Sequence, residues 1–197
     1  MLVSEDELGM INRLRGEIMY SKEPTGENLF LAWGYPTVAY LVLEFLAVKL
    51  INEPWCQWIW VVIPLFGAPL MAYFMHKDYE RTRSMTVEAN GVFLMWVFIG
   101  IACCAGGFMM GYAEVFTQCY MAYLCLLCSF GCFMTGIIIR FRPKTICGII
   151  GAVLSAVPLL FQGEQWPWQL LIAAAIMIIT LIIPGHIFKH YVRHHGQ

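Results

Sequence analysis

Glu44 is the one carboxylate set deep inside an apolar run of this 197-residue chain. Trp33, Thr37, Tyr40 and Glu44 follow at steps of four, three and four, so they share one face of a helix. A carboxyl group in hydrocarbon is costly and turns towards the protein interior or a water-filled cavity. With Thr37 and Tyr40 beside it, such a group could hold a small substrate or a cation, or pass a proton. The same residues also suit a structural role. The carboxyl would then bond to the hydroxyl of Tyr40 or Tyr123, or reach outward beside Lys49.

Two further patterns have the spacing of chemistry. Cys125-x-x-Cys128 has the form of a redox or metal pair, and His186, His190 and His194 lie one helical turn apart, with His195 following. Neither pattern is complete. A metal site would need an additional His or acid near the cysteines, and a hydrolytic zinc helix would carry Glu directly after its first His. We therefore read the histidines as a basic anchor at a membrane surface, expect no metal and no other cofactor, and expect no enzyme activity, since acid, base and nucleophile are not assembled anywhere. Six of the eight cysteines (Cys103, Cys104, Cys125, Cys128, Cys132 and Cys147) fall in apolar runs, where free Cys packs as a small hydrophobe. Cys56 and Cys119 start outward-facing ends and could pair if their helices touch.

These residues need a frame, and composition supplies it. The chain is 60% apolar and 13% charged, with a mean hydropathy of +0.68. A soluble domain is roughly 25% charged, so this is an integral membrane protein. A net charge of −1 without a basic domain argues against nucleic acid as a partner. Crossing a hydrocarbon core takes roughly 20 apolar residues. Six runs qualify: 29–51, 55–74, 90–110, 118–139, 145–161 and 168–188. They are continuous rather than alternating, which favours helices over a β-barrel. The expected fold is all-α: a polytopic six-span bundle over residues 29–188, flanked by a cytoplasmic segment 1–28 and a basic, His-rich tail 189–197. Similar residues recur at the starts and ends of spans, which suggests three helical hairpins related by duplication.

Eleven of the twelve Lys and Arg fall on one side, in the N-terminal segment, the loops after spans two and four, and the tail; only Lys49 is on the other. Basic residues mark the cytoplasmic face, so both termini are expected inside. Trp55, Trp58, Trp60, Trp166 and Trp168 crowd the opposite interface. The first 28 residues lack the apolar core of a signal peptide. Ser4-Glu5-Asp6-Glu7 has the form of a capping box, and the pattern after it predicts an amphipathic helix over 5–20, halted near Pro24 and Gly26. It is expected to lie on the inner leaflet or on the bundle, or else to dock a cytoplasmic protein partner; its acidic residues disfavour a purely lipid-bound role.

Small residues line two spans at helical spacing. Gly100, Cys104, Gly107 and Gly111 do so in span three; Cys125, Cys128 and Cys132 continue a stripe from Gln118 to Thr135 in span four. Small faces let membrane helices approach closely, so both stripes are expected to be packing seams in a dense bundle, within one chain or between copies.

The run Asn28-Leu-Phe-Leu-Ala-Trp-Gly-Tyr, the Trp-rich second span and His76-Lys-Asp-Tyr-Glu-Arg together resemble a group of small inner-membrane proteins of Bacteroidota-type bacteria. Met75-His76 stands where that group has Gly-Tyr before its charged loop. The resemblance covers about the first half of the chain. It implies a bacterial inner membrane and carries no activity with it. The functional expectation is a compact regulatory or scaffolding bundle that engages a partner through its cytoplasmic face. The alternative is a small transporter or channel working through Glu44.

Overall fold

In a computed structural model of the chain, the described residues are 24–51, 87–110 and 114–195. The amphipathic segment 5–20, the span 55–74, the charged loop after it and Gly111 lie outside them. Every regular element among the described residues is helical: α1 (Pro24–Leu50), α2 (Val87–Met110), α3 (Glu114–Ile138), α4 (Arg142–Leu154), short 3-10 turns at Val157–Leu160 and Gly163–Gln165, α5 (Pro167–Met177), a π turn (Ile178–Ile182) and α6 (Ile183–His195). Among the described residues five stretches are long and apolar enough to cross a membrane: Leu31–Leu50, Gly91–Met109, Gln118–Ile138, Arg142–Leu160 and Pro167–Tyr191. The protein therefore has an all-α fold of membrane type.

Proline explains where these boundaries depart from the hydropathy reading. Pro24 opens α1, five residues ahead of the apolar run, because the first helical turn needs no donor from it. Span five is not one α-helix. Pro158 has no N–H, and its ring would collide with the Leu154 carbonyl one turn back, so α4 ends at Leu154 and a 3-10 turn completes the crossing. The last span overruns its expected end at residue 188, and the supposed tail is helical as far as His195. Within that span Pro184 denies a donor to the Thr180 carbonyl, and the backbone widens into the π turn.

α3 occupies the middle of the described bundle. It packs along α4 on one side and α2 on the other and also meets α5, while α1 runs along α5, the π turn and α6. The α3–α4 hairpin is the tightest joint. At the end of α3, Phe141 N–H donates to Gly136 O at 2.8 Å and Arg140 N–H to Ile137 O at 3.1 Å. This pair of bonds requires a left-handed residue between them, a place usually taken by Gly. Arg140 fills it, at φ 54°. The reversal drops Phe141 into the core, 5.0 Å from the Phe188 ring and 6.1 Å from Tyr191. It also buries Lys144, which is 3% exposed rather than lying in an open basic loop.

The two helices then touch backbone to backbone. A Cβ at Gly148 would stand 2.5 Å from the Phe133 nitrogen and 2.6 Å from its Cα, and one at Gly136 would stand 2.5 Å from the Thr145 nitrogen. At Gly151 three helices converge, because a methyl there would run into Thr180 of the π turn and Ser129 of α3.

The stripe on α3 lies at this centre. Met121, Cys125, Cys132 and Thr135 are buried, and Cys128 is partly so. The stripe read on α2 is displaced. Gly100 and Cys104 face outward, and a Cβ at Gly100 would meet nothing within 4 Å. The face of α2 that meets α3 runs instead through Trp96, Ile99, Cys103 and Gly106, with Gly107 at its margin against Tyr120. The large α3 side chains decide this. Tyr120 and Tyr123 reach α2 and donate to the Cys103 and Ala102 carbonyls, each at 3.1 Å, while Trp96 Nε1 donates to Thr135 Oγ1 at 3.1 Å.

Two stability outcomes follow. Gly148→Ala should cost about 1–3 kcal/mol, the usual range for overpacking, because backbone atoms cannot step aside; Gly100→Ala should cost nothing. Thermal melts in detergent check the pair, and equal melting temperatures would refute the assignment of faces. At the hairpin, Arg140→Gly should be more stable than Arg140→Ala by about 1 kcal/mol, since only Gly escapes the crowding of Cβ against the carbonyl in the left-handed region.

Candidate functional site

Leu31, Gly34, Leu41, Glu44 and Val48 form the buried face of α1. Gly34 makes the approach close, because a Cβ there would stand 2.9 Å from Ile182 Cγ1 on the π turn. The same face carries Glu44 into the core at 1% exposure. Tyr40, one turn earlier, is 9% exposed and interacts directly with the Glu44 carboxyl. Residues four apart on a helix stack over one another, which brings these two polar ends together.

Tyr40 also lies near Tyr120 of α3, whose hydroxyl donates to the Cys103 carbonyl of α2. A polar layer thus crosses three helices, from Glu44 through Tyr40 and Tyr120. It is set in an apolar cluster that includes Leu41, Met121, Leu170, Ala173 and Met177.

Other candidates are placed elsewhere. Thr37 shares the stripe, but its hydroxyl donates to its own helix, to Trp33 O at 2.7 Å. Lys49 does not draw Glu44 outward; its Nζ stands 5.8 Å over the Trp168 ring, which packs in turn on Phe45 at 5.4 Å. His186 belongs to a contact between helices, with Nε2 2.6 Å from the Tyr35 hydroxyl and the rings edge-on at 6.0 Å. The side chain of His194 lies outside the described residues. Among those residues no three His, Cys, Asp or Glu side chains gather as a metal would require. Cys119 is a free thiol, and Cys56 lies outside the described residues.

Gln169 is a buried polar group that the spacing arguments passed over. At 2% exposure its amide donates to the Phe161 carbonyl and, at 3.5 Å, to the Gln118 carbonyl. It ties the turn between α4 and α5 to the start of α3. The only signal for it in the sequence is an amide placed just after Pro167-Trp168 at the mouth of a span.

Chemically, Glu44 is a shielded carboxyl with a phenol beside it. A cleft among the described residues is a different feature. It holds about 180 Å³ between α4 and α5, is lined by Leu154, Val157, Ile172, Ala175, Ile176 and Ile179, and has no polar wall. Glu44 does not line it. No family model matches the chain, and no curated protein and no solved structure matches it either.

Proposed function

We propose that this protein is a six-span bundle of a bacterial inner membrane, with both termini cytoplasmic, that regulates or scaffolds a partner through its cytoplasmic face and catalyses nothing itself. The observation that carries this reading is the enclosure of Glu44. A carboxyl that is 1% exposed, coupled to Tyr40 and surrounded by apolar side chains, acts as an internal polar tie between α1 and the bundle. The glycine joints at Gly136, Gly148 and Gly151 support the same reading, since they make a dense core rather than a pore. The bias of eleven basic residues against one supports the orientation. The helical hairpins, of which α3–α4 is the tightest, would be repeats of one unit.

A second reading is favoured by one feature. The π turn and its freed carbonyl lie within the last span, and interrupted helices line the sites of many transporters. On that reading Glu44 and Tyr40 would hold an ion or a small solute.

Two experiments decide. In proteoliposomes, the wild-type chain should pass protons and monovalent cations no faster than protein-free vesicles, and Glu44→Gln should keep the fold, because the amide nearly matches a neutral acid in shape. A flux well above that background, abolished by Glu44→Gln in a protein that still melts normally, would install the transport reading. For orientation, a membrane-impermeant maleimide added to intact cells carrying the chain in a cysteine-free background should label Glu164→Cys and should not label Thr82→Cys. The reverse pattern overturns the topology.

A further inference from the structure

Tyr35 and His186 make a polar contact on the outside of the bundle. The Tyr35 hydroxyl and His186 Nε2 stand 2.6 Å apart, with the rings edge-on at 6.0 Å. Both residues are nevertheless exposed rather than enclosed between α1 and α6. The two spans give them nearly the same depth. Tyr35 lies four residues after Leu31 and His186 five before Tyr191, about 6 Å and about 8 Å from the ends at 1.5 Å per residue. The pair therefore faces lipid just beneath the membrane surface, in the layer where acyl chains join their glycerol esters.

That layer limits what can satisfy the imidazole. A phenol that donates to Nε2 leaves the ring proton on Nδ1, and Tyr35 is the one hydrogen-bond partner of His186 among the described residues. A donor without a partner is costly where water is scarce. The acceptors at hand are the ester and phosphate oxygens of a lipid.

Lys189 adds a charge at the matching height. It follows His186 by three residues on α6, so the two are neighbours on one face, and it stands about 4.5 Å nearer the membrane surface. It is half-buried, and a lysine so placed lays its stem along apolar surface and runs its amine out to the headgroups. Ile183, one turn deeper than His186, is 42% exposed and offers an apolar track. A cation above a neutral donor above an apolar track follows the order of a phospholipid: phosphate, ester, acyl chain. Water-soluble anions fit less well. A free phosphate would have to shed its water, and an acidic peptide would bring unpaired backbone groups into hydrocarbon.

We propose that the edge between α1 and α6 binds an anionic glycerophospholipid. Lys189 holds the phosphodiester, His186 Nδ1–H donates to an ester carbonyl, Tyr35 fixes the imidazole, and one acyl chain lies along Ile183. A zwitterionic choline lipid brings its own cation to the phosphate, and that cation repels Lys189. The site depends on the depth of the two spans, and neither on which face is cytoplasmic nor on the regulatory reading.

The test mixes the full chain in detergent with equal amounts of palmitoyl-oleoyl phosphatidylglycerol and palmitoyl-oleoyl phosphatidylcholine and counts bound lipid by native mass spectrometry. The wild type should retain one phosphatidylglycerol per chain in preference to phosphatidylcholine. Lys189→Gln should cut that retention about fivefold, the weight of one basic side chain at an anionic surface. His186→Leu should also cut it, and Tyr35→Phe, which leaves the imidazole unheld, should cut it less. Arg142 is exposed at the same end of the bundle, beside the contact of Phe141 with Phe188, and Arg142→Gln should change nothing. Equal retention of the two lipids overturns the proposal. So does an equal loss from Arg142→Gln and Lys189→Gln, the mark of a diffuse attraction to positive charge. Glycerol phosphate should not compete; if it displaces the lipid, the site takes a soluble phosphate and the proposal falls. The comparison of Lys189→Gln with Arg142→Gln decides even where His186→Leu fails to fold.

Discussion

Inside hydrocarbon, a backbone carbonyl that loses its donor has no water to replace it. Pro184 creates that situation at Thr180, in the longest of the described spans. The neighbouring helix supplies the answer: the Cys132 thiol donates to the Thr180 carbonyl, while the Thr180 hydroxyl donates to Ile176 O at 2.9 Å. That exchange sets the distance between α3 and the last span. Other contacts are then fitted around it. Gly151 must lack a side chain because Thr180 and Ser129 occupy the space, and Gly34 of α1 must lack one because Leu181 and Ile182 bulge towards it. The break in one helix thus dictates where its neighbours can afford no atoms.

The helices are joined in two physically different ways. α3 and α4 meet through absent side chains, backbone on backbone, and gain dispersion contacts over their length. α2 is held to α3 by long side chains that end in hydrogen bonds. Glu44 and Tyr40 provide a third kind of joint, a polar pair inside an apolar cluster, and Gln169 provides a fourth at the membrane edge. Of these, only the glycine joint cannot be loosened without moving a backbone.

Much of the frame was legible because hydropathy over 20 residues is a strong signal and proline is a precise one. Glu44 was legible for a related reason: a lone acid in an apolar run has few tolerable directions, and inward is the best of them. The face of α2 was not legible. Residues 100, 103, 104, 105, 106 and 107 are all small, so spacing alone supports several stripes; Tyr120 and Tyr123, on another helix, choose among them. The burial of Lys144 was hidden too. Charge counting assigns Lys144 to a loop, whereas the left-handed Arg140 shortens that loop and brings residue 144 into a helix start under Phe141. The π turn itself has no pattern of its own, although Pro184, its cause, stands plainly in the sequence.

The bonds from Tyr120 and Tyr123 to α2 end on main-chain oxygens, those of Cys103 and Ala102. Every residue type carries such an oxygen. The information that specifies this part of the joint is therefore written on one helix only: α3 must keep its two phenols, while the residues at 102 and 103 serve as acceptors whatever their side chains are. Over evolutionary time the two helices would drift at unequal rates along one contact. Drift at 102 or 103 would carry no penalty from these bonds; at 103 the limit would be the space left against α3.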